Sequence, residues 1–125
     1  MKELTGGKGV AVVYDGVGAA TYAGDLDSLA VRGHLVGYGN ASGNFPKIEP
    51  LDLMLKGSFV FQRVSVQHFL TDRAKIDTAA ADLFDLVGRG IIKIAINQRY
   101  ALKDAAQAHR DLEARKTSGS SILVI

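Results

Sequence analysis

A chain of 125 residues, 47% of them hydrophobic, can bury one ordinary core and lies near the commonest domain size. Fifteen Lys plus Arg against 13 Asp plus Glu leave a net charge of +2, and the basic residues are scattered rather than clustered, which argues against a nucleic-acid-binding face. The lack of cysteine excludes a disulfide scaffold, a thiolate-held zinc and a catalytic thiol, and fits a reducing compartment.

The amino terminus, residues 1–7, lacks the apolar core of a signal peptide, and no later apolar run reaches the roughly eighteen residues of a membrane span. The chain therefore reads as a soluble, cytoplasmic protein with no membrane partner. Residues 10–14, Val-Ala-Val-Val-Tyr, form a short β-branched run between glycines, the profile of a strand covered on both faces. A helix is predicted next. Tyr22, Leu26 and Leu29, with Ala23 and Ala30, repeat at helical spacing, and Gly33 suits the left-handed position after the last turn. Residues 34–38 make a second strand, so strand, helix and strand follow in the few residues of a right-handed crossover between parallel neighbours. Both strands end in glycine and small polar residues, and both tips are expected to face one crevice.

Residues 39–49 read as a polar, glycine-rich loop, and Pro50 fits the first turn of a short helix over 51–56 that Gly57 stops. Ser58-Phe-Val-Phe-Gln-Arg63 mixes aromatic and β-branched residues as a third strand, and residues 64–70 lead away from its tip. A long helix is predicted from about 72 to 87, with Ile76, Ala80, Leu83 and Val87 on one stripe and Gly88 and Gly90 ending it. Beyond it Ile92, Ile94 and Ile96 alternate with Lys93, Ala95 and Asn97, a strand half exposed to solvent and so expected in a different sheet. A helix over 102–115 follows, with Leu102, Ala105, His109 and Leu112 as its inner stripe. The last strand, 120–125, has no obvious partner in the sequence. No repeat, low-complexity tract or linker is present, and the only boundary is the change of strand character beyond residues 64–71.

Gly16-Val-Gly18-Ala-Ala-Thr21 half matches the dinucleotide fingerprint, since it follows a strand and opens a helix. Thr21 replaces the third glycine, Asp15 would aim a carboxylate at a pyrophosphate, and no acidic residue ends the next strand, so a tight strand-to-helix turn is the better reading. Asp15 could instead cap the helix after it. Tyr38-Gly-Asn-Ala-Ser-Gly43 is either a ligand-contacting loop, with glycine for close approach and Asn40 and Ser42 as uncharged donors and acceptors, or an ordinary flexible turn. The three histidines are far apart with no metal-ligand spacing, so no metal is expected and surface or core roles are the default. Tyr100 and Ser65 are possible proton donors with nothing nearby in sequence to activate them, and no catalytic residue is assigned. Arg115 is either a phosphate clamp or a helix-terminal charge.

Read together, Leu4-Thr-Gly-Gly-Lys-Gly9, Val13-Tyr-Asp-Gly-Val-Gly18, Arg32-Gly-His-Leu-Val-Gly-Tyr-Gly-Asn-Ala-Ser-Gly43, Lys56-Gly-Ser-Phe59, Tyr100-Ala-Leu-Lys-Asp-Ala-Ala-Gln-Ala-His109, Leu112-Glu-Ala-Arg115 and Gly119-Ser-Ser-Ile-Leu123 stand in a familiar order. The chain resembles the C-terminal part of the zinc-free quinone oxidoreductases, the zeta-crystallin-like branch of the medium-chain dehydrogenase/reductase superfamily. The resemblance implies an α/β fold: the second half of a Rossmann-type parallel sheet with flanking helices, plus the return segment of a GroES-like catalytic domain. Residues 1–64 would be the Rossmann part, 65–90 a connecting segment and long helix, and 91–125 the return segment. The family's phosphate loop, its adenosine 2′-phosphate contacts and most of its quinone pocket would lie upstream.

By that resemblance the cofactor is NADPH, the substrate of the full-length parent is a quinone, and the chemistry is hydride transfer. Val17 would line the cofactor crevice, Tyr38, Gly39, Asn40 and Ala41 would meet the dinucleotide, Val64, Ser65 and Val66 would lie beside the nicotinamide, and Arg115 matches a family arginine near the cofactor. Val64 stands where the family often has proline. The chain alone is expected to be inactive, for want of a pyrophosphate cradle. In the family the strand equivalent to 58–63 pairs with its two-fold mate, which implies a homodimer. Two further readings stay open: a non-enzymatic oligomerisation module, and a small flavodoxin-like domain, which would need a phosphate loop of its own.

Overall fold

The structure is a computed structural model that describes residue 1 and residues 3–125. It divides into two compact units, Met1–Thr71 and Asp72–Ile125. Both are α/β, each built on a parallel sheet.

In the first unit, strands β1 (Val10–Asp15), β2 (Leu29–Gly37) and β3 (Val60–Arg63) lie in the order β1-β2-β3, all parallel, with helices α1 (Tyr22–Ser28) and α2 (Pro50–Gly57) packed against them. Leu26, Leu29, Leu35 and Phe59 are buried, and Val13, Tyr22, Leu53 and Phe61 close around them. Each such side chain withdrawn from water stabilises the fold by about 1.5–3 kcal/mol. The alternation of strand and helix thus forms as the sequence predicts, with local differences.

Helix α1 ends four residues early. Leu29 is extended (φ −73°, ψ 144°) and already pairs with Val10, and the register then skips to Val12 opposite His34. The intervening residues bulge out, with the left-handed conformation falling on Arg32 (φ 64°). Gly33 is therefore not a helix cap. It lies inside β2, where a Cβ would stand 2.8 Å from the Ala30 carbonyl oxygen and 2.9 Å from the Leu29 side chain. Helix α2 has Pro50 in its first turn as predicted, while its left-handed cap is Ser58 (φ 54°, ψ 48°). That cap is why β3 starts at Val60 rather than at Ser58.

The second unit comprises α3 (Arg73–Gly88), β4 (Ile96–Ala101), α4 (Ala105–Glu113) and β5 (Ser120–Val124). Asp72 caps α3 by accepting a hydrogen bond from the Lys75 amide (3.0 Å). Of the expected stripe, Ile76 and Leu83 stay exposed, Ala80 and Val87 being half-buried. The alternating isoleucines do not form the next strand. The amides of Ile91 and Ile92 both donate to the Leu86 carbonyl (3.0 and 3.2 Å), wrapping the chain around the end of α3, and β4 begins only at Ile96. The last strand does have a partner, since β5 pairs in parallel with β4.

Helix α4 is shorter than the predicted 102–115 span, with a 3-10 turn over Leu102–Asp104 before it. Its inner face is Ala105, Ala108 and Asp111, whereas Leu102, His109 and Leu112 are exposed. A polar network displaces the expected apolar stripe: Asp111 accepts hydrogen bonds from the Tyr100 hydroxyl (3.1 Å) and the Gln107 amide (2.9 Å).

Candidate cofactor-binding site

The first unit ends its three strands side by side, the last pairs being Asp15 with Gly37 and Gly37 with Arg63. At the tip of β1 the chain turns sharply into α1, and Asp15, 4% exposed, organises that turn. Its carboxylate accepts hydrogen bonds from the amides of Val17 (2.6 Å) and Gly18 (3.0 Å) and from the Thr21 hydroxyl (3.0 Å). Burial by itself raises the Asp15 pKa, but these donors together outweigh it and hold the carboxyl below its ordinary value. The amides that a phosphate loop would offer to an anion are thus committed to a protein carboxylate. Asp15 caps the turn rather than the helix, whose own N-cap is Thr21.

Onto this turn the loop after β2 is stitched by backbone bonds. The amides of Tyr38 and Gly39 donate to the Asp15 carbonyl (2.8 and 3.3 Å), Ala41 to that of Gly16 (3.2 Å), and Ser42 to that of Val17 (2.8 Å). The Ser42 hydroxyl donates to the same Val17 oxygen (2.8 Å) and accepts from the Ala20 amide (2.9 Å). Contact is so close at Gly39 that a Cβ would overlap the Gly16 carbonyl, and the Tyr38 ring comes to 2.9 Å from where a Gly16 Cβ would be. Phe45 pins the far side of the loop, edge-on to Phe61 (5.2 Å between centroids) and Tyr22 (6.1 Å).

The third tip is tied to the second. The Val64 amide donates to the Gly37 carbonyl (3.0 Å), and the Arg63 Nη1 donates both to that oxygen (2.9 Å) and to the Val64 carbonyl (2.9 Å). Ser65 then leads into a 3-10 turn, Val66–His68. Val17, Tyr38, Gly39, Asn40 and Ala41 therefore form one continuous patch, joined through Gly37 to Val64 and the start of the segment that carries Ser65 and Val66. Val17, Tyr38 and Val66 present exposed side chains there. Arg115 belongs to the second unit, just beyond α4, in the left-handed conformation (φ 55°) with its amide on the Leu112 carbonyl (3.0 Å).

Behind the turn lies a carboxyl pair that sequence spacing did not disclose. Asp25 on α1 sits beside Asp15 and Thr21, with its Oδ2 buried and lacking a hydrogen-bond partner. Burial, then the charge of Asp15 and the hydrogen bond to it, push the Asp25 carboxyl up to about 6, the Thr21 hydroxyl opposing. When protonated, Asp25 can donate to Asp15, which resolves the unsatisfied oxygen. Tyr100, a possible proton donor by sequence, has its phenol raised by burial and by the hydrogen bond to and charge of Asp111, so it is held as a structural donor. His109 borders an apolar groove of about 180 Å³ with Ala108, Leu112, Ser121 and Leu123. Phe45 and Arg63 carry no spacing signal of their own in the sequence, Phe45 standing in the polar loop and Arg63 closing the predicted strand 58–63.

A parallel sheet whose strand tips carry glycine-rich loops at one edge, with helices packed on it, is the half-sheet of a Rossmann-type nucleotide-binding fold. The chain belongs to the zinc-binding dehydrogenase family, whose model matches residues 1–123. It is 48% identical over 126 residues to a quinone oxidoreductase of Salmonella typhimurium and 44% identical over 126 residues to quinone oxidoreductase 1 of Escherichia coli. In each comparison 99% of this chain is covered, and the chain spans 38% of the relative's length. Among solved structures, it resembles a mycobacterial protein complexed with NADPH (TM-score 0.90, 48% identity, 99% of this chain and 38% of that one). It likewise resembles the Escherichia coli quinone oxidoreductase complexed with NADPH (TM-score 0.90, 44% identity, 99% and 39%).

The resemblance to the quinone oxidoreductases of the medium-chain superfamily is borne out by these relatives, and they do not favour a flavodoxin-like domain or a non-enzymatic module. Among the described residues no three His, Asp or Glu side chains are grouped so as to hold a metal ion, and the chain has no cysteine, so these residues do not fit the zinc of the family's description. No described helix is long and apolar enough to cross a membrane.

Proposed function

We propose that this chain supplies the nicotinamide-side half of an NADPH site in a quinone oxidoreductase. The observation that carries the reading is the open edge formed by the three strand tips, where the patch of Val17 and residues 38–41 is joined to Val64 while the amides of Val17 and Gly18 are already taken by Asp15. Such an edge suits the uncharged carboxamide and ribose end of a dinucleotide and not its pyrophosphate. The group, when bound, supplies a hydride. In this reading residues 38–41 meet the dinucleotide, backbone groups of the segment 64–66 hold the carboxamide of the nicotinamide, and the apolar side chains of Val17, Val64 and Val66 keep water from its ring. For Arg115, just beyond α4, the support is its match to the family arginine alone.

Residues 1–64 then act as the later half of a Rossmann domain, 65–90 as a connector with its helix, and 91–125 as a segment returning to a GroES-like catalytic domain. The relatives named as quinone oxidoreductases support a quinone as hydride acceptor, and the cysteine-free composition supports a cytoplasmic setting. The same reading carries a homodimer through residues 58–63, since β3 is an edge strand with Val60 exposed; light scattering that gives a monomer at high concentration counts against it.

The test is an amide NMR titration of the purified chain with NADPH, paired with a quinone-reduction assay. Shifts confined to residues 17, 38–41 and 64–66, with no turnover, are expected. Shifts elsewhere, or none at saturating cofactor, would overturn the assignment, and turnover would overturn the view that the chain is inactive alone.

A further inference from the structure

The sheet's hydrogen-bonded ladder stops at the pair Gly37 and Arg63, and from there the two chains diverge: residue 38 turns toward the tip of β1, residue 64 leads away. Two carbonyls mark the point of divergence, that of Gly37, which accepts from the Val64 amide, and that of Val64, in an exposed position. Arg63 meets both. A single nitrogen, Nη1, places one N–H on the Gly37 oxygen and the other on the Val64 oxygen, each at 2.9 Å, and the Val64 amide adds a bond to Gly37 at 3.0 Å. Charge-assisted bonds of this kind are shorter and stronger than neutral ones, and a guanidinium holds its donors in a fixed plane that an ammonium cannot copy. A Cβ on Gly37 would stand 2.7 Å from the Phe45 ring and 3.5 Å from the Arg63 Cδ, so the ring and the arginine stem lie over the same face of this glycine.

The geometry points to Arg63 as a positioning residue that sets the separation of the two cofactor-contacting segments, residues 38–41 and 64–66, by bridging the carbonyls from which they depart. The inference rests on the function proposed above for those segments. The hydrogen bonds of Arg63 go to backbone carbonyls, so its effect on a cofactor is transmitted through the spacing.

Two measurements on the intact chain separate this role from general stability. In the first, amide hydrogen exchange without cofactor is compared for wild type, R63M and R63K. Val64 is expected to exchange about tenfold faster or more in R63M while Leu35, at the centre of β2, keeps its protection; R63K, with one compact donor, falls between. Unchanged Val64 exchange in R63M overturns the bridge. Should R63M also lose protection at Leu35, R63K is read by the same rule: faster exchange at Val64 with Leu35 unchanged supports the bridge, and no change at Val64 overturns it.

In the second, NADPH is added. Wild type is expected to respond at both segments with one saturation curve, and R63M with about tenfold weaker binding and a response confined to residues 38–41. R63M that melts lower yet binds NADPH with the wild-type affinity, both segments responding together, shows a structural role only and overturns the proposal. If wild type itself fails to bind NADPH, the functional reading falls on that result, and the exchange comparison still decides whether Arg63 fixes the two segments.

Discussion

Replacing Asp25 with asparagine should make the protein more stable at neutral pH and change little in acid. The carboxyl of Asp25 is pushed up to about 6 from 3.8, so between those values the folded chain holds a proton that the unfolded chain has released. A folded state that binds more protons loses stability as pH rises. The contribution of protonated Asp25 is therefore complete below about pH 4, and declines until the folded carboxyl ionises above about pH 6, where two carboxylates face each other across the Thr21 hydroxyl. Taken at face value, two pKa units correspond to about 3 kcal/mol. Asp25 is only partly buried, and solvent screening reduces the figure to about 1–2 kcal/mol. The side-chain amide introduced by D25N would offer Asp15 a neutral donor at every pH. Urea denaturation of both proteins from about pH 4 to pH 8 gives the difference, because the carboxylates away from the Asp15–Asp25 pair cancel in the comparison. D25N should match wild type near pH 4 and exceed it by about 1–2 kcal/mol near pH 7.5. A difference that stays constant with pH, or grows toward acid, refutes the carboxyl pair.

Three further substitutions probe the same edge. Asp15→Ala strips acceptors from the Val17 and Gly18 amides and the Thr21 hydroxyl; a loss of about 2–4 kcal/mol in chemical denaturation is expected, with the Asp25 titration in NMR moving back toward its ordinary value. Gly39→Ala should cost about 1–3 kcal/mol because its Cβ meets the rigid Gly16 carbonyl, while Gly16→Ala meets only the exposed Tyr38 ring and should cost little; thermal melts of the two variants compare them. Phe45→Ala removes both edge-on ring contacts, so a loss of about 1–2 kcal/mol is expected, with faster amide exchange in the loop before Pro50 but not in β2.

The strand-and-helix order of the first unit was legible because parallel strands write themselves as β-branched runs ending in glycine, and Tyr22, Leu26 and Leu29 do form part of the inner surface; β1, expected to be covered on both faces, leaves Val12 and Tyr14 exposed. Boundaries were less legible. Leu29 serves a helical spacing and a strand register equally well, and what decides between them is its pairing with Val10, a contact far away in sequence. The isoleucine alternation at 92–96 misled for a related reason: the period of two was present, but the free carbonyl at the end of α3 took the amides of Ile91 and Ile92 before a sheet could. Asp111 defeated the apolar stripe of α4 because the partner of a half-buried carboxylate, here Tyr100, leaves no periodic trace.

Gly16-Val-Gly18 shows how the same glycines can serve opposite ends. A glycine turn between strand and helix presents two amides in one direction, and an anion will occupy them; which anion depends on whether the chain supplies its own. Asp15 is that internal anion, fixed one residue before the turn, so it needs no ligand to complete it. With the amides satisfied, the outward carbonyls of Asp15, Gly16 and Val17 become the ladder on which residues 38–42 are hung. A phosphate in place of the carboxylate would leave the turn's order dependent on ligand, and the loop above it would inherit that dependence. The carboxylate makes the loop's conformation a property of the folded chain, and under the function proposed above that is the preorganisation that a site for an uncharged ring requires.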